Sequence, residues 1–267
     1  MKIQTMDLWN KVPGQCEEIP KITAYIPETK KANCALVIFA GGSYWGRSEH
    51  EGKGYAKYFS EKGISCFVID YRTRQHKFPI PLLDARRGVQ YVRYYAEKYG
   101  IDKNKIAVVG SSAGGHLAAM LSTYYENIEL ENSDEIDGEE FIPNAQILCY
   151  PVIKLLGKKV AHLDSGYNLL GDKQVSMGEE LSPDLIATSK APQAFIWHTI
   201  TDSCVPVVNS LDYVKRLREV GVNAEVHIFH RGEHGLGLGL KDDDDNRYVA
   251  KWADLCLDWL KSIEFYN

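Results

Sequence analysis

Five residues near the middle of the chain, Gly110-Ser111-Ser112-Ala113-Gly114, follow the pattern Gly-x-Ser-x-Gly. They stand between a β-branched run, Ile106-Ala-Val-Val109, and a helix-forming run, Gly115-His-Leu-Ala-Ala-Met-Leu121. A strand that turns this abruptly into a helix forces the central residue into a strained backbone and leaves room only for small neighbours. The pattern therefore assigns the nucleophile position to Ser112 rather than Ser111. Its hydroxyl would stand above the N-terminus of the next helix, where the helix dipole favours developing negative charge. A serine hydroxyl needs a base to take its proton, and the base needs an acid to orient it. In such an architecture both follow the serine, acid before histidine, each on a loop after a later strand. Asp202 lies past the apolar run 194–198, and His234 lies past the run 224–229 between Gly232 and Gly235.

Other residues fit these roles less well. His227 lies within a strand run and His230 at its end, where packing or local hydrogen bonding accounts for them. His116 falls on the helix after Ser112, on the wrong side of the turn for a base, and is expected to hydrogen-bond neighbouring loops. His162, Asp164 and Asp184 lie in a long irregular stretch, and the two aspartates are weaker alternatives for the acid. A tetrahedral intermediate also needs donors for its oxyanion. The N–H of Ala113 is one. The loop Ala40-Gly-Gly-Ser-Tyr-Trp-Gly46 offers the second from Gly42 or Ser43, because paired glycines let the backbone turn its N–H groups inward. Tyr44 and Trp45 are the candidate substrate-binding residues, since aromatic faces suit sugar rings or short acyl chains; core packing accounts for Trp45 equally well.

The elements that must position these residues alternate along the chain. Strand candidates at 35–39, 65–70, 106–110, 145–150, 194–198 and 224–229 mostly read as continuous apolar runs, which suits strands buried on both faces of a parallel sheet. Helix candidates lie at 52–62, 82–99, 113–125, 207–220 and 246–263. In the second of these, Leu82, Ala85, Val89 and Val92 form one stripe, with Arg86, Arg87 and Arg93 expected among the exposed positions. An early antiparallel strand is expected at 22–26. The pattern predicts an α/β fold, a mostly parallel central sheet with helices on both faces, as a single domain over 1–267. Two segments break it. Residues 126–140 hold eight acidic side chains in fifteen and read as a solvated loop or frayed helix. Residues 154–190 are too long for an ordinary connection and read as a lid or binding insertion.

Composition narrows the function classes. The 267 residues suffice for one large core or two small ones. With 36 acidic against 31 basic residues, a net charge of −5 and no dense Lys/Arg stripe, a nucleic-acid partner is excluded. An apolar content of 45% with 25% charged residues excludes wholesale disorder. No apolar run approaches the roughly 18 residues of a membrane span. The N-terminal residues lack the apolar core of a secretory leader, so a cytoplasmic protein without membrane partner is expected. Six cysteines without Cys-x-x-Cys spacing read as reduced thiols rather than staples or zinc ligands. The acidic run 242–245 precedes the last helix, where the dipole accounts for it better than a metal does. No metal and no cofactor are expected.

With these residues in hand, the chain resembles the α/β-hydrolase superfamily, and within it bacterial acetyl-xylan esterases and feruloyl-esterase-like carbohydrate esterases, near the hormone-sensitive-lipase-like branch. The resemblance runs through Gly41-Gly-Ser-Tyr44 with Ser48 and Glu51, Val68-Ile-Asp-Tyr-Arg72, Pro81-Leu-Leu-Asp84 and the segment 110–119. It continues in Ile147-Leu-Cys-Tyr-Pro151, Asn168-Leu-Leu-Gly171, Trp197-His-Thr199, Val205-Pro206 and His234-Gly-Leu236. One departure is Ala40, where a His usually opens the oxyanion loop. What the resemblance implies is ester hydrolysis through an acyl-enzyme, often on acetylated xylo-oligosaccharides, inside the cell for relatives without a leader. The substrate would be a small-molecule or oligosaccharide ester, with homo-oligomerisation left open. Two rivals stand beside this reading. An arylformamidase or small peptidase would use the same triad, and Gly41-Gly-Ser-Tyr-Trp45 is distantly similar to formamidase loops. A silent binding protein on the same fold would need none of the three triad residues.

Overall fold

A computed structural model describes residues 1–14, 17–130, 132–157, 159–239 and 244–266. The strands are β1 (Lys2–Asp7), β2 (Lys21–Ile26), β3 (Ala35–Phe39), β4 (Ser65–Ile69), β5 (Ile106–Ser111), β6 (Ala145–Cys149), β7 (Ala194–Thr199) and β8 (Ala224–Phe229). The helices are α1 (Glu49–Glu61), α2 (Ile80–Tyr94), α3 (Ala96–Tyr99), α4 (Ser112–Thr123), α5 (Leu163–Leu170), α6 (Gln174–Met177), α7 (Pro183–Ile186), α8 (Val208–Glu219), α9 (Asp244–Val249) and α10 (Trp252–Ser262).

The strands form an eight-stranded sheet in the order β1-β2-β4-β3-β5-β6-β7-β8. β1 and β2 join antiparallel, and every pairing from β4 through β8 is parallel. The continuous apolar runs have the expected cause: β3, β4, β5, β6 and β7 are buried at every position. Alternate side chains leave opposite faces. Val37, Phe39, Val108 and Leu148 pack with Val89 of α2 and Leu117 of α4. Leu36, Ile38, Val109 and Ile147 pack with Tyr55 and Phe59 of α1 and Trp252 of α10. The edge strand β8 is only partly covered. Among the described residues no helix is long and apolar enough to cross a membrane.

Several expectations change. β1 was not foreseen; its residues KIQTMD are almost wholly exposed, so no burial pattern marks it, and it exists because its backbone pairs with β2 from Lys2↔Ile26 to Asp7↔Lys21. The helix read over 82–99 divides at Tyr95 into α2 and α3, and the last helix divides into α9 and α10. Arg86, Arg87 and Arg93 are buried, not exposed. The reason is the acidic segment, which folds onto α2 instead of standing in water. Arg87 reaches Asp134 at 2.7 Å and Asp137 at 2.8 Å, and this guanidinium holds the Asp134 carboxyl down at about 2. Arg86 lies 4.1 Å over the Phe141 ring, and Arg93 donates to the Ile142 carbonyl and Asn144 Oδ1. Among the described residues of 154–190 lie the short helices α5, α6 and α7 and a 3-10 turn at Gly171–Lys173. Within the run 242–245, Asp242 and Asp243 lie outside the described residues, and Asp244 opens α9. Cys16 also lies outside them; Cys34, Cys66, Cys149, Cys204 and Cys256 are free thiols.

Candidate active site

The central strand β5 passes directly into α4, and Ser112 at the junction has a φ of 52°, the left-handed region that non-glycine residues avoid. Its neighbours must be glycine for a measurable reason. A Cβ on Gly110 would lie 2.2 Å from the Gly114 carbonyl oxygen, and one on Gly114 would lie 2.1 Å from that of Phe39. Gly115 is pressed against Pro151, with 2.8 Å left for a Cβ.

The loops after β7 and β8 bring two side chains to this serine. The Ser112 hydroxyl lies 2.8 Å from His234 Nε2, and His234 Nδ1 lies 2.7 Å from Asp202 Oδ2. A carboxylate only accepts, so Nδ1 carries the proton and Nε2 is free to accept from the hydroxyl. Asp202 is held from all sides. Its Oδ1 accepts the N–H groups of Cys204 at 2.9 Å and Val205 at 2.8 Å, while His198 Nε2 approaches Oδ2 at 3.2 Å. Burial pushes the Asp202 carboxyl up, but the hydrogen bonds from His198 and His234 outweigh it and hold the group far below the usual carboxylate range. His198 is itself buried, bridging Ser210 Oγ at 2.8 Å and the Val205 carbonyl at 2.9 Å. Its place inside an apolar strand run concealed it.

The loop after β3 lies against the serine: a Cβ on Gly41 would be 2.9 Å from Ser112 Cβ. Gly42, Ser43 and Tyr44 all have positive φ, at 136°, 56° and 58°, so the chain coils tightly here. The Gly41 N–H donates to Glu51 Oε2 at 2.8 Å. Among the described residues the N–H groups of Gly42, Ser43 and Ala113 make no hydrogen bond within the protein, which leaves them available to an oxyanion.

Tyr44 does not wall an open pocket. It is 1% exposed, and its hydroxyl is 2.7 Å from His116 Nδ1. The left-handed turn at Ser43 and Tyr44 points the ring inward while Trp45, 63% exposed, faces water beside Arg74. His116 donates from Nε2 to the Leu181 carbonyl at 2.8 Å, and burial pushes its imidazole down to about 4, so it is neutral. The segment 154–190 thus meets the site at three points: Leu181 on His116, Asn168 Nδ2 on the Ser43 carbonyl at 2.9 Å, and His162 Nε2 against Cys204 Sγ at 3.4 Å. Burial and the neighbouring His234 lower the His162 pKa. The remaining candidates sit elsewhere. Asp184 pairs with Lys154, Asp164 is exposed in the first turn of α5, His227 pairs with Glu225, and His230 lies against Tyr248. Among the described residues no three His, Cys, Asp or Glu side chains gather closely enough to hold a metal ion.

A nucleophile-bearing turn at the carboxyl end of a central parallel strand, with acid and histidine on the two following strand-end loops, is the plan of the α/β-hydrolase class. The chain belongs to the BD-FAE family, whose sequence pattern matches residues 22–217. It is similar to endo-1,4-beta-xylanase B of Butyrivibrio fibrisolvens, 36% identical over an alignment of 245 residues that covers 88% of this chain and 36% of that protein. It is also similar to the acetylxylan esterase of Xylanibacter ruminicola, 29% identical over 91% of this chain and 48% of that one. The chain therefore spans between a third and a half of these relatives' lengths. Among solved structures, the acetyl ester-xyloside bifunctional hydrolase of Caldicellulosiruptor lactoaceticus superposes with a TM-score of 0.90 at 38% identity, covering 99% of this chain and 97% of the other.

Proposed function

We propose that this chain is a serine carboxylesterase that removes short acyl groups, acetyl foremost, from carbohydrate hydroxyls such as those of acetylated xylo-oligosaccharides. The observation that carries the reading is the continuous hydrogen-bond chain from Ser112 through His234 to Asp202, at 2.8 and 2.7 Å. Ser112 Oγ attacks the ester carbonyl carbon as His234 Nε2 takes its proton, and Asp202 stabilises the imidazolium that forms. The carbonyl oxygen becomes an oxyanion between the N–H groups of Ala113 and of Gly42 or Ser43. As the tetrahedral intermediate collapses, the bond to the sugar oxygen breaks and His234 returns the proton to it, leaving acetyl on Ser112. Water, deprotonated by the same imidazole, then releases acetate. Trp45 is the exposed aromatic side chain at the oxyanion loop and is the surface offered to the sugar.

The substrate class is supported by the names of the similar proteins: a xylanase, an acetylxylan esterase and an acetyl ester-xyloside hydrolase. We place the enzyme in the cytoplasm, in keeping with five described cysteines left as free thiols. Acetate release from acetylated xylo-oligosaccharides, compared with longer acyl esters and with N-formylkynurenine, tests the reading. Rapid deacetylation of the oligosaccharide supports it; hydrolysis of the formamide alone overturns it in favour of an arylformamidase.

A further inference from the structure

Beside the site lies a carboxylate buried without a cation. Glu51 is 2% exposed, and among the described residues no Lys, Arg or His stands within ion-pair distance of it. A charge withdrawn from water in this way is costly unless neutral donors satisfy it. Two do, one on the oxyanion loop and one at the end of β6. Oε2 accepts the Gly41 N–H at 2.8 Å, and Oε1 accepts the Tyr150 hydroxyl at 2.7 Å. The Tyr150 oxygen in turn accepts the N–H of Gly237 at 2.9 Å, three residues beyond His234. Tyr55 extends the network: its hydroxyl is 3.4 Å from that of Tyr150 and accepts the Ser111 hydroxyl at 3.0 Å, next to the nucleophile. The Tyr150 ring sets its edge against His234 at 5.0 Å. Gly41 is caught in the middle, since a Cβ there would lie 2.6 Å from Glu51 Oε2 and 2.9 Å from Ser112 Cβ.

We propose that Glu51, bridged by Tyr150, is a positioning residue for the hydrolysis, fixing the spacing between the oxyanion loop and the His234 loop. The assignment rests on Ser112, His234 and Asp202 forming a hydrolytic site. Base and oxyanion donors act at the same moment on one tetrahedral carbon. Their separation must therefore hold to a fraction of an ångström, and a slip of about 1 Å costs about 100-fold. Gly41 and Gly237 are far apart in sequence, so contacts across the fold must hold it: the Glu51–Tyr150 bridge from inside, and at the surface His50 Nε2 against the Gly235 carbonyl at 2.9 Å.

The test compares wild type with Glu51→Ala, Glu51→Gln, Tyr150→Phe and the Glu51→Ala/Tyr150→Phe double variant on p-nitrophenyl acetate. Active sites are counted with a serine-directed fluorophosphonate. Glu51→Ala and Tyr150→Phe should each lower kcat per titrated site by about 10- to 100-fold while KM moves less than about threefold. The double variant should lose about as much as the more damaging single, because both changes cut one linkage. Glu51→Gln should recover most of kcat: its amide oxygen still accepts from Gly41, and its NH2 meets the Tyr150 oxygen. Tyr150→Phe keeps the ring packing and decides alone if Glu51→Ala does not fold. A kcat per site within about twofold of wild type in the singles, or fully multiplicative losses in the double, overturns the assignment. A wild type that neither hydrolyses the ester nor takes label overturns the hydrolase reading and this one with it.

Discussion

Glu51 and Asp84 are two carboxylates withdrawn from water, and the molecule satisfies them in opposite ways. Asp84, fully buried on α2, faces the guanidinium of Arg72, with bonds of 2.9 and 2.8 Å, and also accepts the Trp9 indole N–H at 2.8 Å. That cluster pins the N-terminal segment and the end of β4 to α2, and its charges cancel. Glu51 instead meets an amide N–H and a phenol O–H, from Gly41 and Tyr150. The contrast teaches where each kind of burial is used. Ion pairs such as Arg72–Asp84 and Arg87–Asp134 hold the scaffold away from the chemistry. Beside the triad, neutral donors fix loop positions without placing a competing cation next to the oxyanion.

If site and scaffold are held by separate devices, substitutions should divide between activity and stability. The largest effect is expected for Ser112→Ala, with kcat falling by about 10⁶-fold and the melting temperature held; parallel loss of both would break the comparison. Asp202→Asn keeps the shape but reverses the hydrogen bond to His234, so kcat should fall by about 10⁴-fold, measured on a simple acetate ester. Asp84→Ala should do the reverse. It removes the carboxylate that faces the buried Arg72 guanidinium and should cost about 3–5 kcal/mol in urea unfolding, while kcat at a temperature where the variant is folded stays at the wild-type value. A smaller effect is expected from pH. The His116 imidazole is lowered from 6.5 to about 4 by burial, so the unfolded chain binds its proton first on acidification. Stability from this group is complete above the unfolded value and is lost as pH falls from 6.5 toward 4, by about 3 kcal/mol. His116→Gln, which can still accept from Tyr44 and donate to Leu181, should flatten that part of the stability curve; an unchanged slope would assign it elsewhere.

The sheet and the order of Ser112, Asp202 and His234 were readable because both follow from strand positions, and buried parallel strands announce themselves as apolar runs. What was missed depends on contacts that strand periodicity does not encode. Arg87 was placed in water because its partners, Asp134 and Asp137, lie far along the chain in a segment that looked too charged to pack. Tyr44 was aimed at the pocket because the left-handed turn that buries it is a property of the folded loop. The family resemblance included Glu51 but gave it no role. One signal was present: α1 buries Tyr55 and Phe59, and Glu51 stands on the same face, one turn before the first and two before the second. A charge inside an apolar stripe marks a residue whose partners are worth finding.

The most direct measurement of the central claim is the mass of the intact protein after exposure to a serine-directed fluorophosphonate, with the adduct mapped by peptide analysis. The account predicts one adduct per chain in wild type, located on Ser112, absent in Ser112→Ala and formed far more slowly in His234→Ala. An adduct on Ser111 or elsewhere, or one that persists in Ser112→Ala, would contradict it.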